Sequence, residues 1–88
     1  MQVVRRISYT SDFRNAYRRL PGHIQDATDR KDALFRNEPF QPTLRTHKLH
    51  GPLQGLWSFS VTRDYRILFE FVKDEAIFYD VGTHSIYR

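Results

Sequence analysis

Residues 56–82 read LWSFSVTRDYRILFEFVKDEAIFYDVG, and their alternation decides the fold. From Leu56 to Thr62, Trp57, Phe59 and Val61 fall on one side and Ser58, Ser60 and Thr62 on the other, the period of a half-buried strand. Tyr65 to Val72 sets Tyr65, Ile67, Phe69 and Phe71 against Arg66, Leu68, Glu70 and Val72. Ala76 to Gly82 turns Ile77, Tyr79 and Val81 away from Phe78 and Asp80. The links Arg63-Asp64 and Lys73-Asp74-Glu75 are hairpin-sized, so these three strands form an antiparallel meander.

Upstream, the pattern changes period. Val3 to Tyr9 reads as a first strand, with Val3, Ile7 and Tyr9 on one face. Thr10-Ser11-Asp12 then supplies N-cap side chains. Phe13, Ala16, Tyr17 and Leu20 follow at i, i+3, i+4 and i+7, one apolar helical stripe with Arg14, Arg18 and Arg19 outside it. Pro21-Gly22 breaks that helix, and a second is predicted from His23 to about Arg36, with Ile24, Ala27, Leu34 and Phe35 as its stripe. Residues 38–55, with three prolines and two glycines, read as a long ordered loop. The expected class is α+β in the order β-α-α-β-β-β, one domain over residues 1–88, with helices on one sheet face and the other face open.

Composition narrows the function. No cysteine is present, which excludes a disulfide scaffold, a Cys-ligated zinc site and a thiol nucleophile. No apolar run approaches a membrane span, so the expectation is a soluble cytoplasmic protein. The net charge is +4, and it is uneven. Residues 1–48 hold ten Lys/Arg against five Asp/Glu, whereas residues 49–88 hold four against five. Eleven of the fourteen cations are arginine, the residue suited to forked contacts with phosphate or carboxylate, so nucleic acid or an acidic protein is the expected partner. A solvated helix face accounts for the arginines equally well.

The open sheet face carries Ser58, Ser60, Thr62 and Arg66, a polar surface suited to single-stranded RNA or a peptide, and equally to plain water. Of four histidines, His47 and His50 would meet only on a helix that Pro52 and Gly51 oppose, so neither a metal site nor a cofactor is expected. His84 follows the last strand in a turn-like Gly82-Thr83-His84. RNA cleavage requires a base for the 2′-hydroxyl, an acid for the leaving 5′-oxygen and a cation on the phosphorane. His, Asp and Arg supply those roles without metal.

Three segments carry a resemblance. Lys48-Leu49-His50-Gly51-Pro52-Leu53-Gln54-Gly55 precedes the Trp-bearing strand, Asp64-Tyr65-Arg66-Ile67-Leu68-Phe69 opens the central strand, and Asp80-Val81-Gly82-Thr83-His84-Ser85-Ile86-Tyr87 closes the chain. In that order they resemble the RelE/ParE superfamily of toxins from type II toxin–antitoxin pairs, and the Gly-Thr-His-Ser resembles its YafQ branch. The resemblance implies a ribosome-dependent endoribonuclease that cuts mRNA in the decoding site of the 70S ribosome and is neutralised by a cognate antitoxin. By it, His84 is the proton donor to the leaving oxygen and Arg66 faces the scissile phosphate. His50 and Asp64 match an imidazole and a carboxylate of the site, Tyr87 an aromatic that stacks on a base, and Lys48 and Arg63 cations that neutralise the backbone. Ser60 stands where the branch has a further histidine, which leaves the general base open between His50 and Asp64. Two other activities fit the same fold: a ParE-like poison of DNA gyrase, and a decayed toxin that binds only its antitoxin.

Overall fold

The computed structural model describes residues 2–87; the two terminal residues of the expected 1–88 domain lie outside it. Strand β1 (Arg6–Tyr9) leads into α1 (Ser11–Arg18) and α2 (Gly22–Asn37), followed by β2 (His47–Lys48), β3 (Trp57–Ser60), β4 (Arg66–Val72) and β5 (Glu75–Gly82). They form one sheet in the order β1-β5-β4-β3-β2, with β1 parallel to β5 and every other pair antiparallel. The α+β class and the element order match the sequence reading. The sheet gains one strand on it, because β2 is a two-residue pairing inside the loop expected over 38–55 and is too short for any periodicity. That loop also holds 3-10 turns at Pro42–Leu44 and Gly51–Leu53.

Thr10 caps α1 as expected, its hydroxyl accepting the amide of Phe13 at 3.0 Å. Buried Phe13 and Ala16 face the sheet, and α1 lies against β5. From α2 come Ile24, Ala27 and Phe35, together with Thr28, whose hydroxyl donates to the carbonyl of Ile24. Phe35 is fully buried and stacks on Phe59 at 4.6 Å, with Phe69 and Phe78 edge-on to it.

One part of the strand reading is corrected. Leu68 pairs with Asp80 but Phe69 pairs with Phe78, so Tyr79 is an extra residue in β5. A bulge shifts alternation by one. Val81 therefore joins Ala76 and Phe78 in the core, where strict alternation had grouped it with Ile77 and Tyr79. The first strand also starts later than Val3, which is exposed.

Two phenols tie β1 and α1 to α2. Tyr9 donates to Asp32, and its pKa is pushed up to about 12 by burial first and by that hydrogen bond second. Tyr17 donates to Asp29 at 2.8 Å, and this bond foremost raises it likewise to about 12. An unfolded phenol titrates near 10.0. The folded state thus holds these protons more tightly, and the stabilisation present below pH 10 is lost as pH climbs from about 10 to about 12. Thermal melts across that range are expected to fall more steeply for the wild type than for a Tyr9→Phe, Tyr17→Phe double variant. Parallel slopes would show that neither phenol is linked to folding.

Candidate active site

Arg66 is the first residue of β4 and stands opposite Ser60 on one side and Gly82 on the other. After Gly82 the chain folds back in a 3-10 turn, His84–Tyr87, that packs on β4 and β5. A Cβ on Gly82 would sit 2.8 Å from Cγ2 of Ile86, so glycine is what lets the turn lie this close to the sheet. Tyr87 is fixed at the turn's end: its hydroxyl is 2.6 Å from Oγ of Ser58. The Arg66 guanidinium lies 5.5 Å from the Tyr87 ring centre, and the His84 ring meets the same ring edge-on at 5.0 Å.

The face expected to be open is therefore partly covered by the turn His84–Tyr87. Ser58 is only 1% exposed, and Leu68 beside it is buried. Thr62 is also engaged, its hydroxyl accepting the amides of Asp64 and Tyr65 in the β3–β4 turn. Glu70, four residues along the strand from Arg66, accepts the Tyr79 hydroxyl at 2.7 Å instead of pairing with the arginine. Nε of Arg66 is buried and has no hydrogen-bond partner among the described residues. A desolvated, unpaired nitrogen on a cation is unfavourable in the free protein.

Beside this cluster lies a cavity of about 580 Å³ lined by four cations, Lys31, Arg45, Arg63 and Arg66, with His47 and Ser60. Among the described residues no carboxylate lines it. Such a surface attracts a phosphate backbone. Lys31 and Arg45 come from α2 and the loop, and nothing in the local sequence marks them as neighbours of Arg66.

The structure thus brings together Arg66, His84 and Tyr87, and joins Arg63 to Arg66 across the cavity. Asp64 is exposed in the β3–β4 turn. His50 caps the turn Gly51–Leu53 and lines a separate hollow with Lys48, Gln54 and Trp57. Lys48 pairs with Trp57 across β2 and β3 and sits over its ring at 5.6 Å, on the helix-bearing side of the sheet. Among the described residues no three His, Asp or Glu side chains converge as a metal site would require, and no helix is long and apolar enough to cross a membrane.

Ser58 is the residue that reading by periodicity missed, since its stripe suggests solvent. Tyr87→Phe tests its role. Losing the phenol leaves a buried Ser58 hydroxyl unpaired, which is expected to cost about 1–3 kcal/mol in stability. An unchanged urea midpoint would show that the turn is held by other contacts.

Residues 4–87 match the family model described as bacterial toxin of type II toxin-antitoxin system, YafQ. No curated protein matches the chain in sequence. Among solved structures the chain is similar to YafQ from E. coli, with a TM-score of 0.78 and 16% identity over 92% of this chain and 94% of that one. It is similar to the toxin-antitoxin complex RelBE2 from Mycobacterium tuberculosis, with a TM-score of 0.79 and 19% identity over 97% of each chain. The E. coli DinJ-YafQ complex gives a TM-score of 0.74 and 17% identity over 98% of this chain and 97% of that one. At such identities the structures share the fold, and the family match extends over nearly every residue that builds it. The chain belongs to the YafQ family of toxins of bacterial type II toxin–antitoxin systems.

Proposed function

We propose that this toxin is an endoribonuclease that cuts mRNA on the ribosome, through attack of the RNA 2′-hydroxyl and without a metal. The observation that carries the reading is Arg66, a cation with a buried, unpartnered Nε, which shares the Tyr87 ring with His84 at the edge of a cavity lined by four cations. Such a group suits an oxyanion that gains charge in the transition state, as the phosphorane does. His84, exposed in the last turn, would protonate the leaving 5′-oxygen. Arg63 faces the backbone from the same cavity, and Tyr87 offers a ring for a base. Lys48 and His50, on their separate hollow, and Asp64, in the hairpin turn, would meet RNA farther along its path.

A ribosomal substrate supplies the remaining geometry, which explains how so open a site can be selective. In the cytoplasm the expected partners are the 70S ribosome with its mRNA and a co-encoded antitoxin, by likeness to the DinJ-YafQ and RelBE2 complexes. A disordered acidic segment would complement the chain's net charge of +4.

Primer extension on an mRNA translated in a reconstituted system tests the reading. Cuts in phase with codons, present only with ribosomes and ending in 2′,3′-cyclic phosphate, are expected. Cuts on free RNA would remove the ribosome from the proposal. No cuts in either condition would move the function to gyrase inhibition or antitoxin binding alone.

A further inference from the structure

β2 consists of two residues, and its pairing puts His47 directly opposite Ser58. Side chains opposite one another in an antiparallel pair share a face. His47 therefore stands on the side that carries Arg66 and Tyr87, whereas its neighbour Lys48 goes to the other. Its ring is also held in one tautomer. Nδ1 lies 2.8 Å from the carbonyl oxygen of Arg45, and a carbonyl can only accept. Nδ1 thus carries the hydrogen, and in the neutral ring the lone pair is on Nε2.

The backbone that supplies this carbonyl is itself unusual. Arg45 ends the turn Pro42–Leu44 in left-handed conformation at φ 52°, which a residue with a side chain adopts only at some energetic cost. That conformation presents the carbonyl to His47. An imidazole orientated from behind, with its basic nitrogen free, is the arrangement that general bases share. His47 lines the same cavity as Arg66 and Arg63, and neither His50 nor Asp64 does.

We infer that His47 is the general base of the cleavage, and that it fills the role left open between His50 and Asp64. The inference rests on the nuclease reading above. Nε2 of His47 takes the 2′-hydroxyl proton as the 2′-oxygen bonds to phosphorus. The bond from phosphorus to the 5′-oxygen breaks, and that oxygen receives the proton of His84. The products are a 2′,3′-cyclic phosphate and a 5′-hydroxyl. His47 ends protonated and His84 neutral, and exchange with water resets both.

The test compares His47→Ala, His47→Asn and wild type by single-turnover cleavage of ribosome-bound mRNA. In parallel, co-sedimentation measures toxin binding to ribosomes whose mRNA carries a 2′-deoxy nucleotide at the cut position. Asparagine keeps a side-chain N–H for the Arg45 carbonyl but has no basic nitrogen. Both variants are expected to cleave at least about 100-fold more slowly while binding as well as wild type. Near wild-type cleavage by the asparagine variant overturns the inference, because the ring would then serve only to shape β2. So does a parallel loss of binding, or full activity of His47→Ala where His50→Ala is inactive. Wild-type protein that cuts nothing overturns the nuclease reading itself, a separate and visible failure.

Discussion

Replacing Arg66 by methionine is expected to slow mRNA cleavage by about 100- to 1,000-fold, the usual loss when a charge-stabilising donor is removed from a reacting oxyanion. The same change should leave the fold as stable as before, or more so. Methionine follows the arginine stem, so packing around β4 is kept. It gives up the 5.5 Å approach to the Tyr87 ring, a contribution of roughly 0.5–1 kcal/mol. Against that, it removes a buried Nε with no partner, an unsatisfied group that costs about 1–3 kcal/mol. The second effect is the larger, and the expected net change is a gain of up to about 2.5 kcal/mol. Arg66→Lys separates charge from shape. It retains the cation but not the guanidinium fork, and should recover only part of the rate. Cleavage kinetics and urea unfolding on the three proteins decide the matter. A methionine variant that is both active and destabilised would make Arg66 a structural residue.

That opposition between activity and stability also explains which parts of the molecule its sequence discloses. The helices and β4 repeat over two or more periods of burial, so Phe13 and Ala16, or Ile67 and Phe69, declare their faces without help from the rest of the chain. β5 does so only up to Phe78. The extra Tyr79 reverses the parity beyond it, and nothing in FYDVG announces a bulge. β2 has no period to read, yet it decides which of His47 and Lys48 faces the cavity. Arg66, His84 and Tyr87 were legible as candidates through resemblance. Their meeting depends on the β4–β5 hairpin, on Gly82 and on the Ser58 hydroxyl, all of them tertiary. Lys31 reaches the same cavity from α2, which no local pattern encodes. Elements that pack by repetition are readable one at a time. A site assembled from five separate segments is not.

The largest effect on stability is expected at Phe35. It is fully buried where α2 crosses the sheet, stacked on Phe59 and ringed by Phe69, Phe71 and Phe78. α1 rests on β5 closely enough for backbone approach, whereas α2 reaches the sheet through side chains, with Phe35 at the centre. Phe35→Ala is expected to cost about 3–5 kcal/mol, since four surrounding rings cannot collapse into the space together. For 88 residues the total stability is on the order of 4–13 kcal/mol, so this one truncation removes about a quarter of it or more. In thermal melts the shift should be about 15–30 °C downward. Phe35→Leu, which retains most of the volume, should lose much less and remain folded at room temperature. The leucine variant then separates packing from chemistry. Lys31 is carried by α2, four residues before Phe35 along the helix, so a loosened helix shifts one wall of the basic cavity. Weaker ribosome binding by folded Phe35→Leu, at an unchanged single-turnover rate on saturated ribosomes, is the expected pattern. A lower rate with unchanged binding would mean that α2 positions the reacting groups themselves and that Lys31 contributes nothing to holding RNA.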